Sequence, residues 1–247
     1  MKKILNLIAG LSALGIVSTQ AATTYVGNGN TAWGGGVGSG SASLTIDDTA
    51  AGVLTITANN VDVGGNALVI YFDSKSGGFN TTANFADPDN GDGLRKAISG
   101  YTAVDNFGGP GRSTTLLPFQ ADFAIGVSSG WGGLWELAEN ASHPYKATVL
   151  AGGFTAGNIM SFNVSDLGLT ANSGQSFNFF AMLVSQSGWT SPEFIGASSV
   201  SGTNGWGNTQ TVGSGSSYTL VPEPSSSLLM GLGLAGLAVL RRARKNA

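Results

Sequence analysis

Across residues 22–220 each apolar or β-branched run ends after four to ten residues at a cluster of Gly, Asn, Ser or Asp, and no stretch carries the period of a long helix. Short strands joined by tight loops satisfy that pattern. The clearest runs are 52–58, 67–73, 122–127, 133–138, 145–150, 158–164 and 176–185. Val53, Thr55 and Thr57 alternate with Leu54 and Ile56, and Phe177, Phe179, Ala181 and Leu183 share one face of a period-2 strand. One short helix is expected near 92–99. The expected fold class is all-β: a single antiparallel β-sandwich, jelly-roll-like, with Gly-rich loops. Glycine-rich stretches at 27–41 and 201–217 bracket it, each with a Trp beside Gly and Asn. They read either as flexible linkers or as paired terminal edge strands.

Charge and residue usage remove several function classes. Of 11 basic and 14 acidic residues in the chain, residues 22–220 hold five bases (Lys75, Arg95, Lys96, Arg112, Lys146) and 13 acids, a charge of −8. That balance opposes binding to nucleic acid or anionic membranes through bulk charge. With no Cys and one His, zinc fingers, thiol chemistry and His-rich metal centres are excluded.

The two ends read as export signals. Lys2 and Lys3 precede an apolar run from Ile4 to Val17, followed by the small residues Thr19, Ala21 and Ala22, the order of a secretory signal peptide with cleavage expected after Ala21. Residues 1–21 are therefore set apart from the fold, and the secretion translocon is an expected partner. At the other end, Pro222, Glu223 and Pro224 favour an extended, accessible backbone. Residues 228–240 are apolar or Gly, about 20 Å of helix at 1.5 Å per residue, short of the ~30 Å hydrocarbon core. Arg241, Arg242, Arg244 and Lys245 follow as a basic stop that stays cytoplasmic, leaving 22–224 across the membrane.

In this order, the three parts of residues 221–247 resemble the PEP-CTERM sorting signal of Gram-negative bacteria that build extracellular polymeric substances. The resemblance implies recognition by an exosortase, a membrane-embedded transpeptidase-like protease, and a hydrophobic sorting helix that anchors the chain in the inner membrane until processing. It implies a destination at the cell surface or in the extracellular matrix. Parts of the body, 22–220, are similar to the DOMON-like or family 9-like carbohydrate-binding sandwich. The matching segments are 68–73, 121–126 followed by Leu134-Trp135-Glu136-Leu137, 164–169, and Glu193-Phe194-Ile195-Gly196. That resemblance implies a sandwich fold and polysaccharide as ligand.

Three groups of residues are candidates for chemistry. Asp87, Asp89 and Asp92 crowd side-chain oxygens onto a loop with Gly91 and Gly93, which suits Ca²⁺, although Gly91 stands where a further oxygen ligand belongs. Trp131 and Trp189 stand in Ser- and Gly-rich loops where a flat aromatic face is able to stack on a sugar, whereas Trp135 and Phe123 are expected in the core. A Ser-His-Asp triad would have to use His143, whose neighbours Ser142 and Pro144 indicate a turn, and no G-x-S-x-G elbow accompanies it. Gly36-Val37-Gly38-Ser39-Gly40 lacks the flanking strand and helix of a nucleotide loop. The expected function is that of an exosortase-processed surface or matrix protein with a non-catalytic sandwich that binds extracellular polysaccharide. The alternatives are a glycan-cleaving enzyme using a carboxylate pair and a purely structural matrix protein.

Overall fold

An unbroken apolar strand has to be covered on both faces, and two such strands organise this protein. The computed structural model describes residues 22–50, 52–85, 92–100, 112–139, 141–154, 157–222, 236 and 241–244. In β4 (Ala67–Asp73), Leu68, Ile70 and Phe72 enter one core while Ala67, Val69 and Tyr71 enter another. β11 (Ser176–Val184) repeats this: Phe177, Phe179, Ala181 and Leu183 face the first core, as their alternation predicts, and Phe180, Met182 and Val184 face the second.

These strands lie in a central antiparallel sheet with β7 (Phe123–Val127), β8 (Gly132–Glu136), β9 (Tyr145–Leu150) and β12 (Thr190–Ile195), in the order β12-β11-β4-β7-β8-β9; β15 (Ser216–Thr219) pairs with the first half of β11. On one face packs the antiparallel sheet of β1 (Thr23–Val26), β2 (Ser43–Asp47), β3 (Val53–Asn59) and β10 (Ile159–Asn163). Its inward residues Ile46, Leu54, Ile56, Met160 and Phe162 complete the first core, and its outward positions are mostly Thr, Ser and Asn in the alternation expected of a half-buried sheet, with Val26 and Ile159 exposed among them. The runs anticipated from sequence coincide with β3, β4, β7, β8, β9, β10 and β11 to within two residues at each end.

The second face gives the β-sandwich a further layer. It is covered by α1 (Gly93–Ser99) and by a small sheet of β13 (Val200–Gly202), β14 (Thr209–Val212), β6 (Thr114–Ala121) and β5 (Phe79–Thr81), in that order, with β14 and β6 parallel. Leu94, Ala97 and Ile98 of the helix, with Phe85, Leu117 and Val212, close the second core. The helix starts where Asp92 accepts the N–H groups of Leu94 and Arg95, and stops at Gly100, whose φ of 58° is the left-handed conformation glycine tolerates best.

The two glycine-rich stretches are neither linkers nor partners of one another. Residues 201–217 hold β14 and the first residues of β15. Residues 27–38 fold around the buried carboxylate of Glu193 on β12: Trp33 and Gly35 donate their N–H groups to Oε1 at 2.7 and 3.0 Å, and Val37 and Gly38 theirs to Oε2 at 3.0 and 3.2 Å. The turns tolerate little else, because a Cβ on Gly36 or Gly38 would lie 2.1 or 2.0 Å from a backbone oxygen.

Ala22–Leu220 forms one compact unit. The expected signal peptide, Glu223, Pro224, Lys245 and all of the apolar span 228–240 except Gly236 lie outside the described residues. Pro222 is exposed, and Arg241, Arg242 and Arg244 are helical and exposed. Among the described residues no helix is long and apolar enough to cross a membrane.

Candidate functional site

The loops at one end of the central sheet converge because their strands do. Ala67 opens β4 opposite Val184, where β11 ends, and Val127, where β7 ends, pairs with Leu68 and Gly132. The β7–β8 turn, the β11–β12 turn and the start of α1 therefore meet around a cleft of about 520 Å³, lined by Asp92, Gly93, Leu94, Ser128, Gly130, Trp131 and Gln186.

Glycine seats the side chains of this cleft. A Cβ on Gly133 would lie 2.6 Å from Trp131 and 2.7 Å from Trp135, so the missing side chain leaves room for both indoles. Trp131, half-buried, meets Trp135 edge-on at 5.6 Å and stacks on Tyr145 with centroids 6.1 Å apart and planes at 24°. Gln186 lies over Gly93, where a Cβ would approach its Oε1 to 2.6 Å, and its Nε2 donates to the Gly65 carbonyl at 3.4 Å. The cleft wall thus combines an aromatic platform with a hydroxyl, an amide and a carboxylate. Asp92 carries a compensated charge, since its Oδ1 caps α1 and its Oδ2 meets Arg95 Nε at 3.0 Å.

Trp189 projects from the neighbouring β11–β12 turn and is 39% exposed. Its backbone N–H donates to Ser185 Oγ at 2.9 Å, and its ring lies over Gly205, where a Cβ would come within 2.6 Å, and 5.2 Å from Trp206. The structure therefore brings Trp131 and Asp92 to one cleft and sets Trp189 beyond Gln186. Asp87 and Asp89 lie outside the described residues, and among those described no three His, Asp or Glu side chains gather as a metal set. Trp135 and Phe123 are buried, at 3% and 2% exposure. Gln186, Ser128 and Tyr145 escaped the sequence reading. None belongs to a motif, and only the strand order brings them near Trp131.

At the opposite end of the sheet two carboxyl groups differ in character. Burial pushes the Asp122 carboxyl above the usual range, against the backbone N–H groups of Ser74 and Lys75 that donate to its Oδ2 at 3.0 Å each; its Oδ1 is buried without a partner. Glu136 is held below its ordinary range by Lys75, at 2.5 Å, with Lys146 at 3.6 Å. Opposed shifts of this kind mark acid–base pairs in glycosidases, but Asp122 is 3% exposed and offers a sugar no access in this conformation.

His143 is likewise buried, with Nε2 3.1 Å from Ser99 Oγ. Its Nδ1 accepts the Ala138 N–H at 3.2 Å, which places the neutral ring's proton on Nε2, facing Ser99. A general base needs the reverse tautomer there, so the contact ties α1 to the β8–β9 connection and does not activate the serine.

Residues 220–245 match the family model of the PEP-CTERM protein-sorting motif. The motif marks an exported protein that is anchored in the membrane before exosortase processing. No curated protein and no solved structure matches the chain, so the DOMON-like and family 9-like resemblance of the body gains no support from them.

Proposed function

We propose that this exported chain, which ends in a PEP-CTERM sorting motif, delivers a non-catalytic polysaccharide-binding domain to the cell surface or extracellular matrix, and that the ligand lies in the Trp131 cleft. The observation that supports the reading most is the pairing of the Trp131 platform with Ser128, Gln186 and Asp92 in one open cleft. A sugar ring has an apolar face for stacking and a rim of hydroxyls for hydrogen bonds, so recognising it takes an aromatic plane with polar groups at its edge. The described lining carries no cation, and the body is acidic, which favours a neutral polysaccharide over an anionic one.

The experiment is affinity electrophoresis of the exported, processed protein through gels containing neutral polysaccharides, including the extracellular polysaccharide of the producing cells. Retardation that Trp131→Ala abolishes, with the variant still folded by circular dichroism, supports the reading. Unretarded migration in every gel overturns it and leaves the domain a structural matrix component.

A further inference from the structure

The turn that carries Trp131 and the turn that carries Trp189 belong to the same sheet end, and the strand order sets their separation. In the order β12-β11-β4-β7-β8 the two hairpins are centred three strand spacings apart, about 14 Å at ~4.8 Å per spacing. They also share a side. Trp131 packs against the second core, and Trp189 lies on Gly205 and Trp206 in the β13–β14 loop of the small sheet that covers that same core. Between them stands Gln186, which lines the Trp131 cleft and lies three residues before Trp189.

We infer that the ligand is an extended polysaccharide segment crossing from Trp131 over Gln186 to Trp189, with Trp189 as a second platform that only chains of several sugar residues reach. This rests on the reading of the Trp131 cleft as a polysaccharide site. A gap of about 14 Å far exceeds the width of one pyranose ring, so a short sugar engages Trp131 alone. A longer one adds the second contact within the same molecule, and that added contact sees a high effective concentration. Trp189 therefore acts as a length-selecting residue: it leaves short ligands unaffected and sets the affinity for long ones.

The test is calorimetric titration of the processed protein with size-fractionated fragments of a neutral glucan and of the producing cells' own neutral polysaccharide. Affinity is expected to rise at least about tenfold from the shortest to the longest binding fragments. In Trp189→Ala that rise disappears while the short-fragment affinity stays as in wild type, and Trp131→Ala loses binding at every length. Gly205→Ala, whose added Cβ would lie 2.6 Å from the Trp189 ring and which displaces that ring from outside the Trp131 cleft, is expected to lower only the long-fragment affinity, so the inference survives a poorly folded Trp189 variant. Affinity independent of length, or long-fragment affinity unchanged in both Trp189→Ala and Gly205→Ala, overturns the inference while the Trp131 site stands. Failure of every fragment to bind overturns both.

Discussion

The loop around Glu193 and the cleft beside Trp131 are both built around Gly and Trp, and use them in opposite ways. In the first, close turns point four backbone N–H groups inward at a carboxylate with no exposed surface, so the anion that such a nest would hold is supplied by the chain itself. No cation pairs with Glu193 among the described residues. In the second, Gly93, Gly133 and Gly205 make room for Gln186, Trp131 and Trp189, whose polar edges and ring faces remain available to a ligand. Glycine content thus carries no functional message by itself. What matters is whether the groups it frees find their partners inside the protein.

Removing the internal anion gives the largest expected effect. Glu193→Gln turns two accepting positions into an NH₂ that faces N–H donors, and should cost about 3 kcal/mol or more in urea denaturation. Burial alone would raise the Glu193 carboxyl, but the four N–H donors outweigh it and hold it below the ordinary glutamate range. Its contribution is therefore complete above that range and is lost as pH falls through the lowered folded value, a loss that Glu193→Gln should no longer show. A variant as stable as wild type would dissolve the contrast between a closed nest and an open cleft.

Gly205→Ala comes next, because it adds a Cβ at φ 95° and 2.6 Å from the Trp189 ring. A cost of about 1–3 kcal/mol is expected, together with a shift in tryptophan fluorescence as Trp189 moves outward. Trp131→Ala should cost about 1–2 kcal/mol, below the ~3–5 expected of a core tryptophan such as Trp135, because Trp131 is only partly buried and lines the cleft. A loss as large as that of Trp135→Ala would make Trp131 core and close the site.

The smallest effect belongs to Asp122→Asn, whose carbonyl still accepts from Ser74 and Lys75 and which is expected to stay within about 1 kcal/mol of wild type. Burial raises this carboxyl, so its ionisation opposes folding, and stability falls as pH rises through the raised folded value. The variant should flatten that part of the pH profile.

These contrasts also explain what was legible in the sequence. Strands such as β4 and β11 announce themselves because covering a face requires apolar residues at fixed intervals; α1 falls where a short helix is expected, near 92–99, but Asp92, read as a calcium ligand, turns out to cap it. The tail is legible because its Pro-Glu-Pro, apolar and basic parts are contiguous. The third layer is harder to see, although Phe180, Met182 and Val184 signal a second buried face. The sheet that covers it carries Thr115 and Gln210 at buried positions, and a period-2 reading of apolar residues passes over them. Glu193 and its donors are about 160 residues apart, as the sequence separations of their hydrogen bonds record, and no local pattern connects them. Trp33 and Trp206 look alike in sequence, yet Trp33 packs on the first core and Trp206 beside Trp189.

Hydrogen exchange of the processed protein, measured with and without a neutral polysaccharide that it binds, tests the central claim most directly, since it reports on every loop at once. The account predicts added protection in the turns 128–131 and 185–189, with the Glu193 loop, residues 33–38, exchanging at the same slow rate in both states. Protection confined to the Asp122 and Glu136 end, or absent from the Trp131 turn, would contradict it.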